Sequence, residues 1–354
     1  MNAATETLPA RPARTTPHAT HKFLWLLKRE FWEHRGGLLW APLVASALFL
    51  FFSLLGGGLG QLAFNREMAS QGGLVTVNGR SVRLADVNWD TIFADASAQD
   101  LVQMSDVLNG SLLMPAFWPL TVLGFVVFFY LLGALFDERK DRSVLFWKSL
   151  PVSDTQTVLS KLATALVVAP LVAVAIAAVT VLLFTLIAAV WLGLNHAPVG
   201  RLLGMIDPLS IGGGLLAWIP MYILWALPTA GWLLLCSAWA RSKPFLWAIG
   251  VPVLAGILVS WFGLLDGTMR NGDGWFWENV VLRMLGGVFP GIHVIGMARE
   301  LGGERLNGVG NLRELAMAAS GYSLLSSPAL WIGVIAGIVM IVAAIRLRRW
   351  RDDA

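Results

Sequence analysis

The residues that could perform chemistry in this chain are few and widely separated. Five histidines occur, none at a spacing typical of metal ligands: His18, His21, His34, His196 and His293. No GxxxxGK[ST] sequence is present, so the chain lacks a Walker A loop for ATP, and HExxH and GxSxG are absent as well. His293 with Glu300 or Glu304 is the combination that could act in acid–base catalysis. An integral membrane enzyme is therefore one alternative for the function.

A second set of reactive groups lies between Asp137 and Lys161, in a strongly charged segment between two long apolar runs. Seven of its first twelve residues are charged, yet five apolar residues are interspersed: Val144, Leu145, Phe146, Trp147 and Leu150. If residues 142–150 are helical, Leu145, Phe146 and Leu150 share one side of the helix, which predicts a short amphipathic helix. Pro151 would end this helix, and Ser153 could cap the next one.

This segment resembles that of the ABC-2 type permeases, the membrane subunits of ATP-driven exporters. The resemblance is carried by Glu138-Arg139, Ser143, the run Ser149 to Ser153 and Lys161, while Arg142-Ser143 replaces a glycine-threonine pair that many members have. In that family such a segment forms the coupling helix that docks into a cleft of the ATPase. The resemblance thus implies a set of ATPase-coupling residues: Glu138, Arg139, Arg142, Ser143, Phe146, Trp147, Leu150 and Pro151.

The resemblance also implies partners. ATP and Mg²⁺ would bind in a separate cytosolic ABC ATPase subunit, and this chain would hold no cofactor and no metal. Two membrane subunits, identical or related, would assemble with two ATPase subunits, and no nucleic acid is expected. The function implied is export of a hydrophobic or amphipathic substrate across or out of the cytoplasmic membrane. A non-transporting membrane scaffold or sensor, whose inner loop binds a partner, is a further alternative.

The composition predicts an all-α polytopic membrane protein. Of 354 residues, 56% are hydrophobic and 14% charged, and apolar runs of about 20 residues are long enough to cross a hydrocarbon core. Six spans are predicted, at 38–58, 116–136, 162–191, 215–239, 245–265 and 327–345. They contain no Asp, Glu, Lys, Arg or His, which argues against an ion-coupled carrier. The lone cysteine, Cys236, excludes an intramolecular disulfide.

The distribution of basic residues predicts the orientation. If the amino terminus is cytosolic, 17 of the 26 Lys and Arg lie in the inner segments, although the outer segments are nearly twice as long. Both termini are therefore expected in the cytosol, with the protein in a bacterial inner membrane and the coupling segment 137–161 on the cytosolic side. Residues 1–20 read as a disordered tail. His21 to Arg35 is predicted to be an interfacial helix, with Phe23, Leu24, Leu27 and Phe31 on its apolar face and Lys22, Arg29 and Glu33 opposite.

Two long outer segments are predicted, at 59–115 and 266–325. In the first, Asn78-Gly79 between β-branched residues predicts a β-hairpin, and residues 100–113 look helical. In the second, Trp275 to Leu285 is predicted to be a short helix. The transmembrane domain as a whole is taken to extend from residue 21 to residue 354.

Two patterns inside the spans suggest packing surfaces. Small residues recur every four positions in the third and sixth spans, and they predict either helix packing within the chain or a dimer face: Ala165, Ala169, Ala173, Gly333 and Gly337. Tryptophans recur every seven positions in the fourth span, and they predict either an aromatic transport pathway or a packed stripe: Trp218, Trp225, Trp232 and Trp239.

Overall fold

A computed structural model of the chain describes residues 19–70, 74–77, 80–83, 89–141, 152–195, 197–265, 273–292 and 325–351. Within these residues six helices are long and apolar enough to cross a membrane: Gly36–Glu67, Ala98–Lys140, Asp154–Leu194, Ile211–Trp239, Pro244–Gly263 and Pro328–Trp350. Each of the six predicted spans falls on one of them, because runs of about 20 apolar residues dictate both burial in lipid and helical hydrogen bonding. These helices indicate a multi-pass membrane protein.

The first helices form a continuous amino-terminal unit. Helix α1 (Ala19–Glu33) is followed by a π-helical turn, Gly36–Trp40, and then by the long helix α2 (Ala41–Ser70). Leu26 and Glu30 of α1 are buried, while Leu24, Trp25 and Trp32 are exposed. Leu24 of the predicted apolar face therefore points away from the bundle, and Arg29 of the predicted polar side is half-buried. The interfacial position of α1 stays a prediction.

The segment between the first two spans contains two strands and two helices. Strand β1 (Leu74–Val77) pairs antiparallel with β2 (Arg80–Arg83), with Leu74 opposite Arg83. Helices α3 (Trp89–Asp95) and α4 (Ala98–Ser111) follow, and α4 begins with a capping box formed by Ser97 and Asp100. The chain then crosses back as α5 (Leu113–Gly133), and the short helix α6 (Phe136–Lys140) follows.

The third helical unit starts with α7 (Asp154–Ala163), which Ser153 caps by accepting a hydrogen bond from the Gln156 amide. A π-helical turn, Thr164–Val168, leads into α8 (Ala169–Leu194). After α9 (Val199–Gly204) come the two crossing helices α10 (Pro208–Trp239) and α11 (Pro244–Leu265). The described part then includes α12 (Asp273–Phe276), the π-helical turn Trp277–Leu282, α13 (Arg283–Gly286) and the last helix, α14 (Pro328–Arg351).

The closest helix packing lies between α10 and α14. A Cβ added to Gly231 would lie 2.6 Å from the Gly337 carbonyl oxygen, and one added to Gly337 would lie 2.8 Å from the Leu227 carbonyl. Glycines on both helices thus allow the two backbones to touch, which is how membrane helices gain packing without a hydrophobic drive. The core continues through α5 and α8, where Val127, Leu131 and the alanines of the third span are buried.

Helix α13 carries a buried arginine into this packing. The Arg283 guanidinium donates hydrogen bonds to the carbonyl oxygens of Ala329 and Leu330 at the start of α14, at 2.5 Å and 3.2 Å, and lies 4.5 Å from the ring centre of Trp225 on α10. Its side chain occupies the space above Gly333. The predicted helix Trp275 to Leu285 is confirmed, and Arg283 fixes it against α10 and α14.

At the opposite end of the bundle from α1, polar side chains join the connecting segments. Gln61 of α2 and Asn195 after α8 exchange two amide hydrogen bonds, at 3.0 Å and 2.7 Å. Asn109 of α4 accepts from the Asp207 amide, and Ser105 donates to the Met205 carbonyl. These bonds satisfy buried polar groups where helices end, as polar groups removed from water require.

Candidate functional site

Six charged side chains meet where α1, α6, α7 and α14 come together, and we call them the six-charge cluster. They are three carboxylates and three basic groups: Arg29, Glu30, Glu138, Asp154, Lys161 and Arg348. Glu30, Lys161 and Arg348 are at most 4% exposed, and the Glu138 side chain is 11% exposed. The formal charges cancel, as burial of ionised groups demands.

Lys161 connects the two glutamates. Its ammonium nitrogen lies 3.1 Å from Oε1 and 3.2 Å from Oε2 of Glu30, and 3.0 Å from Oε1 of Glu138. An ammonium group has three protons to donate and no lone pair, so two carboxylates at hydrogen-bonding distance satisfy it. Lys161 therefore joins α7 to α1 and to α6 at one point.

Arg348 connects the last helix to the same point. Its Nη1 donates to Oε2 of Glu138 at 2.7 Å, and its Nε donates to Oδ1 of Asp154 at 3.2 Å. Because Glu138 and Asp154 precede and follow the connecting residues 142–151, Arg348 contacts both ends of that connection. The carboxyl end of α14 and the amino-terminal α1 consequently lie at the same end of the bundle.

Glu30 is the most completely buried carboxylate of the cluster. Its Oε2 accepts a hydrogen bond from the Tyr130 hydroxyl at 2.9 Å, and Arg29 pairs with its Oε1. Burial by itself would raise the pKa of Glu30, but the charges of Lys161 and Arg29, with the hydrogen bonds from Lys161 and Tyr130, outweigh it and hold this pKa below its ordinary value. Glu30 is therefore ionised at neutral pH.

A second connection involves the residue next to Glu138. Arg139 donates to the carbonyl oxygens of Ser237 and Ala240, at 2.5 Å and 3.0 Å, and the Ser237 hydroxyl accepts from the amides of Leu135 and Phe136. These bonds satisfy the last carbonyls of α10 and the amides at the start of α6. The short helix α6 is thereby held between α10 on one side and the six-charge cluster on the other.

The predicted ATPase-coupling residues are thus divided. Glu138 and Arg139 are described, and both make contacts within the chain. The other six predicted coupling residues lie outside the described residues: Arg142, Ser143, Phe146, Trp147, Leu150 and Pro151. The same holds for the enzyme alternative, since His293, Glu300 and Glu304 are outside the described part.

The small residues of the third and sixth spans pack within the chain. Ala165, Ala169 and Ala173 are completely buried, and Gly333 and Gly337 face Arg283 and α10. These five positions therefore make packing contacts within the chain. A dimer face in the third and sixth spans stays a prediction.

Trp225 lies beside Arg283 of α13, and the Trp232 indole donates to the Ala248 carbonyl of α11 at 2.9 Å. Trp218 packs on Tyr222, one turn along α10 itself. Trp239, at the end of α10, packs edge-on against Trp247. Within the described residues these tryptophans make packing contacts, and an aromatic transport pathway along them stays a prediction.

Sequence reasoning did not assign Glu30, Asp154, Tyr130 or Arg348, and it used Lys161 only for the resemblance. For Lys161 and Arg348 the sequence did contain a signal. The four-residue ladder of alanines, extended back by one turn from Ala165, reaches Lys161, and the buried positions 337, 341 and 344 of α14 lead to 348. A charge in register with a buried apolar stripe predicts a buried, paired charge.

The fold and this cluster define a class of protein rather than an activity. The chain is a multi-pass helical membrane protein in which α1 and the carboxyl end of α14 meet at one end of the bundle, beside a buried ionic network. Comparisons with protein-family models, with curated proteins and with solved structures find no match. Among the described residues no group of three or more His, Cys, Asp or Glu side chains is arranged to hold a metal ion.

Proposed function

We propose that this chain is the permease subunit of an ATP-driven exporter of the ABC-2 type. In this proposal the α1 end of the bundle faces the cytosol of a bacterium, and residues 142–151 carry the coupling helix that docks into a separate ABC ATPase. ATP and Mg²⁺ bind in that partner, and a second copy of this chain or a related permease completes the assembly. The substrate is hydrophobic or amphipathic.

The observation that supports this proposal is the position of the six-charge cluster. Glu138 lies four residues before the connection 142–151, and Asp154 three residues after it, and both pair with Arg348. Lys161 adds the 3.0 Å bond to Glu138. The residues that flank the connection on both sides are therefore held in the six-charge cluster, rather than on two independently moving helices.

The six-charge cluster provides a route for mechanical coupling. Helix α6 is nearly continuous with the crossing helix α5, and α7 is continuous through the π-helical turn with α8. A displacement of residues 142–151 by a partner would move α5 and α8 together, with α1 and α14 carried along by the ion pairs. Packed helices and ion-pair networks of this kind can carry coupling between distant sites.

The experiment is a search of the neighbouring reading frames for an ABC ATPase, then co-purification of the affinity-tagged chain with that ATPase, followed by ATP hydrolysis in lipid. We expect Phe146→Ala/Leu150→Ala to weaken the complex by at least about 2 kcal/mol, because large apolar residues dominate such contacts. Membrane insertion and expression should be unchanged. Phe245→Ala/Leu246→Ala, which truncates the same two residue types after the α10–α11 connection, is the matched control and should bind normally.

Three outcomes would contradict the proposal. Unchanged co-purification and unchanged ATPase stimulation in the Phe146→Ala/Leu150→Ala variant would remove the coupling helix. Catalytic activity of the purified chain without any ATPase, lost on substitution of His293, would instead favour a membrane enzyme. Binding of a partner without any effect on hydrolysis or transport would favour the scaffold.

A further inference from the structure

A cavity of about 610 Å³ lies beside the six-charge cluster, between the α1–α2 junction and α5. Its size falls within the range of roughly 300 to 1,000 Å³ that small-molecule sites occupy. Three of the residues around it are glycines, Gly36, Gly37 and Gly133, so the cavity is left open by missing side chains. We call it the junction cavity.

One wall of the junction cavity is apolar. Leu38 and Val126 line it, together with Phe125 and Phe129, which lie one turn apart on the crossing helix α5. Both phenylalanines are more than half exposed, so their rings are not fully covered by the chain's own helices. An alkyl chain can pack along this wall, as apolar side chains pack on one another in lipid.

The other end of the cavity carries carboxylates from two elements. Glu33 lies at the end of α1. Asp137 lies in α6, and Asp141 follows one turn later, directly after α6. Glu33 has a basic neighbour, since Arg29 Nε lies 3.7 Å from its Oε2. Within the described residues, no ion pair joins Asp137 or Asp141 to a basic side chain.

The basic residue that lines the cavity does not offset these charges. Lys161 already lies within 3.2 Å of Glu30 and Glu138, and its ammonium protons are used there. His34, the remaining nitrogen base of the lining, has its Nδ1 3.2 Å from the Glu30 carbonyl oxygen. The polar end of the junction cavity is therefore negative, and the charge is concentrated at Asp137 and Asp141.

From this combination we propose that the junction cavity binds a hydrophobic monocation: an amphiphile with a single ammonium group and an alkyl chain. The ammonium group lies between Asp137 and Asp141, and the chain extends along Phe125 and Phe129. A membrane phospholipid fits less well, because its phosphate would be placed among carboxylates. The ligand would also touch Tyr130, Glu138 and Lys161, so occupancy contacts the six-charge cluster directly. The proposal does not depend on the permease assignment.

The test is equilibrium binding of radiolabelled dodecyltrimethylammonium to the purified full-length chain in phosphatidylcholine nanodiscs, with empty nanodiscs as background. We expect saturable binding near one molecule per chain that weakens as salt is raised, since exposed charges are screened. Exposed charge pairs contribute about 0.2 to 1 kcal/mol. Asp137→Asn and Asp141→Asn should therefore each weaken binding by up to about fivefold, and the double variant by about tenfold.

The controls separate the site from the fold and from partition into lipid. Asp95→Asn removes an exposed carboxylate on α3 and should leave binding unchanged. Asp141→Glu retains the charge and should retain binding, whereas Phe129→Ala, which leaves both carboxylates in place, should weaken it. Dodecyl maltoside, with the same alkyl chain and no charge, should compete about tenfold less well than unlabelled dodecyltrimethylammonium.

Three results would overturn the assignment. The first is binding that does not saturate, and the second is equal binding by the wild type and the Asp137→Asn/Asp141→Asn variant. The third is complete displacement of the probe when phosphatidylethanolamine is included in the nanodisc, which would assign the cavity to a membrane lipid. No ATPase is present, so failure here leaves the permease proposal intact, and loss of ATPase docking leaves the junction cavity intact.

Discussion

Lys161 is 3% exposed and is held by Glu30 and Glu138, although it lies one residue before the predicted third span. Removing a charge from water costs several kcal/mol, and the cost is recovered where partners and hydrogen bonds are well placed. Each member of the six-charge cluster therefore depends on the others. A single substitution leaves an uncompensated buried charge, and this is the effect that mutation can measure.

Substitution of Lys161 by methionine should be strongly destabilising. We expect Lys161→Met to lower the free energy of unfolding by about 3 to 5 kcal/mol, because Glu30 and Glu138 would then face each other without a cation between them. The measurement is thermal unfolding of the purified chain in detergent. Lys140→Met, at an exposed position on α6, is the matched control and should change little.

A double-mutant cycle checks the assignment of the pair. Glu138→Gln/Lys161→Met should be less destabilised than the sum of the two single variants, by roughly 0.5 to 3 kcal/mol, as contacting residues usually are. Strict additivity would mean that Lys161 and Glu138 do not interact in the folded chain.

The lowered pKa of Glu30 predicts a pH dependence of stability. The unfolded chain binds more protons than the folded chain between the folded pKa and the ordinary value of 4.5, so stability falls as the pH falls through this window. We expect the wild type to be more stable than Glu30→Gln at pH 7 and the difference to narrow in acid. Thermal unfolding of both proteins at several pH values measures this. A difference that stays constant or widens in acid would contradict the ionised form of Glu30.

At the scale of elements, α10 and α14 are held together by backbone contact. Gly231 and Gly337 lie at the crossing, and Arg283 of α13 extends across the upper turn of α14 to reach two carbonyls and Trp225. Glycine at the crossing costs helix propensity but allows close approach, a balance that favours packing in lipid. These elements therefore behave as one rigid unit within a single chain.

The crossing can be tested by adding one methyl group. Gly337→Ala places a Cβ 2.8 Å from the Leu227 carbonyl, so backbone must move, and overpacking of this kind costs about 1 to 3 kcal/mol. Gly250→Ala on α11, where nothing lies within 4 Å of the added atom, is the matched control and should be neutral or slightly stabilising.

The readout should separate folding from association. We expect Gly337→Ala to lower heat stability without changing the molecular mass measured in detergent. Unaltered heat stability together with a smaller assembly would show that the glycine contacts another subunit.

At the scale of the whole molecule, the first and last described helices, α1 and α14, meet beside the six-charge cluster. Glu30 of α1 pairs with Lys161, and Arg348 near the end of α14 pairs with Glu138. Six crossing helices return the chain to the side from which it started, which agrees with the even number of spans. Which side of the membrane this is remains a prediction from the basic residues.

Cysteine labelling tests that orientation. In a Cys236→Ala background, cysteines at positions 81 and 307 should react with an impermeant thiol reagent added to intact cells, and one at position 153 should not. The reason is the excess of Lys and Arg in the segments assigned to the cytosol. Labelling of position 153 in intact cells would reject the assigned topology. Permeabilised cells, in which position 153 should react, provide the control.

The sequence alone determined the class of fold and the approximate position of every span. Runs of about 20 apolar residues are sufficient for this, because in lipid each backbone group must be paired within its own helix. The helix Trp275 to Leu285 and the cap at Ser153 were also predictable, because both depend on residues that are close in sequence. Local patterns thus predicted the helices but not which helices pack against each other.

The tertiary structure decided which charges are buried and which small residues face each other. Glu30 and Lys161 are 131 residues apart, and Glu138 and Arg348 are 210 apart, so no local pattern pairs them. The same is true of Arg283 and Trp225, and of the glycines on α10 and α14. Composition sets whether a helix enters the membrane, whereas the partner of a buried charge is fixed by how six such helices pack, and that depends on contacts far apart in the chain.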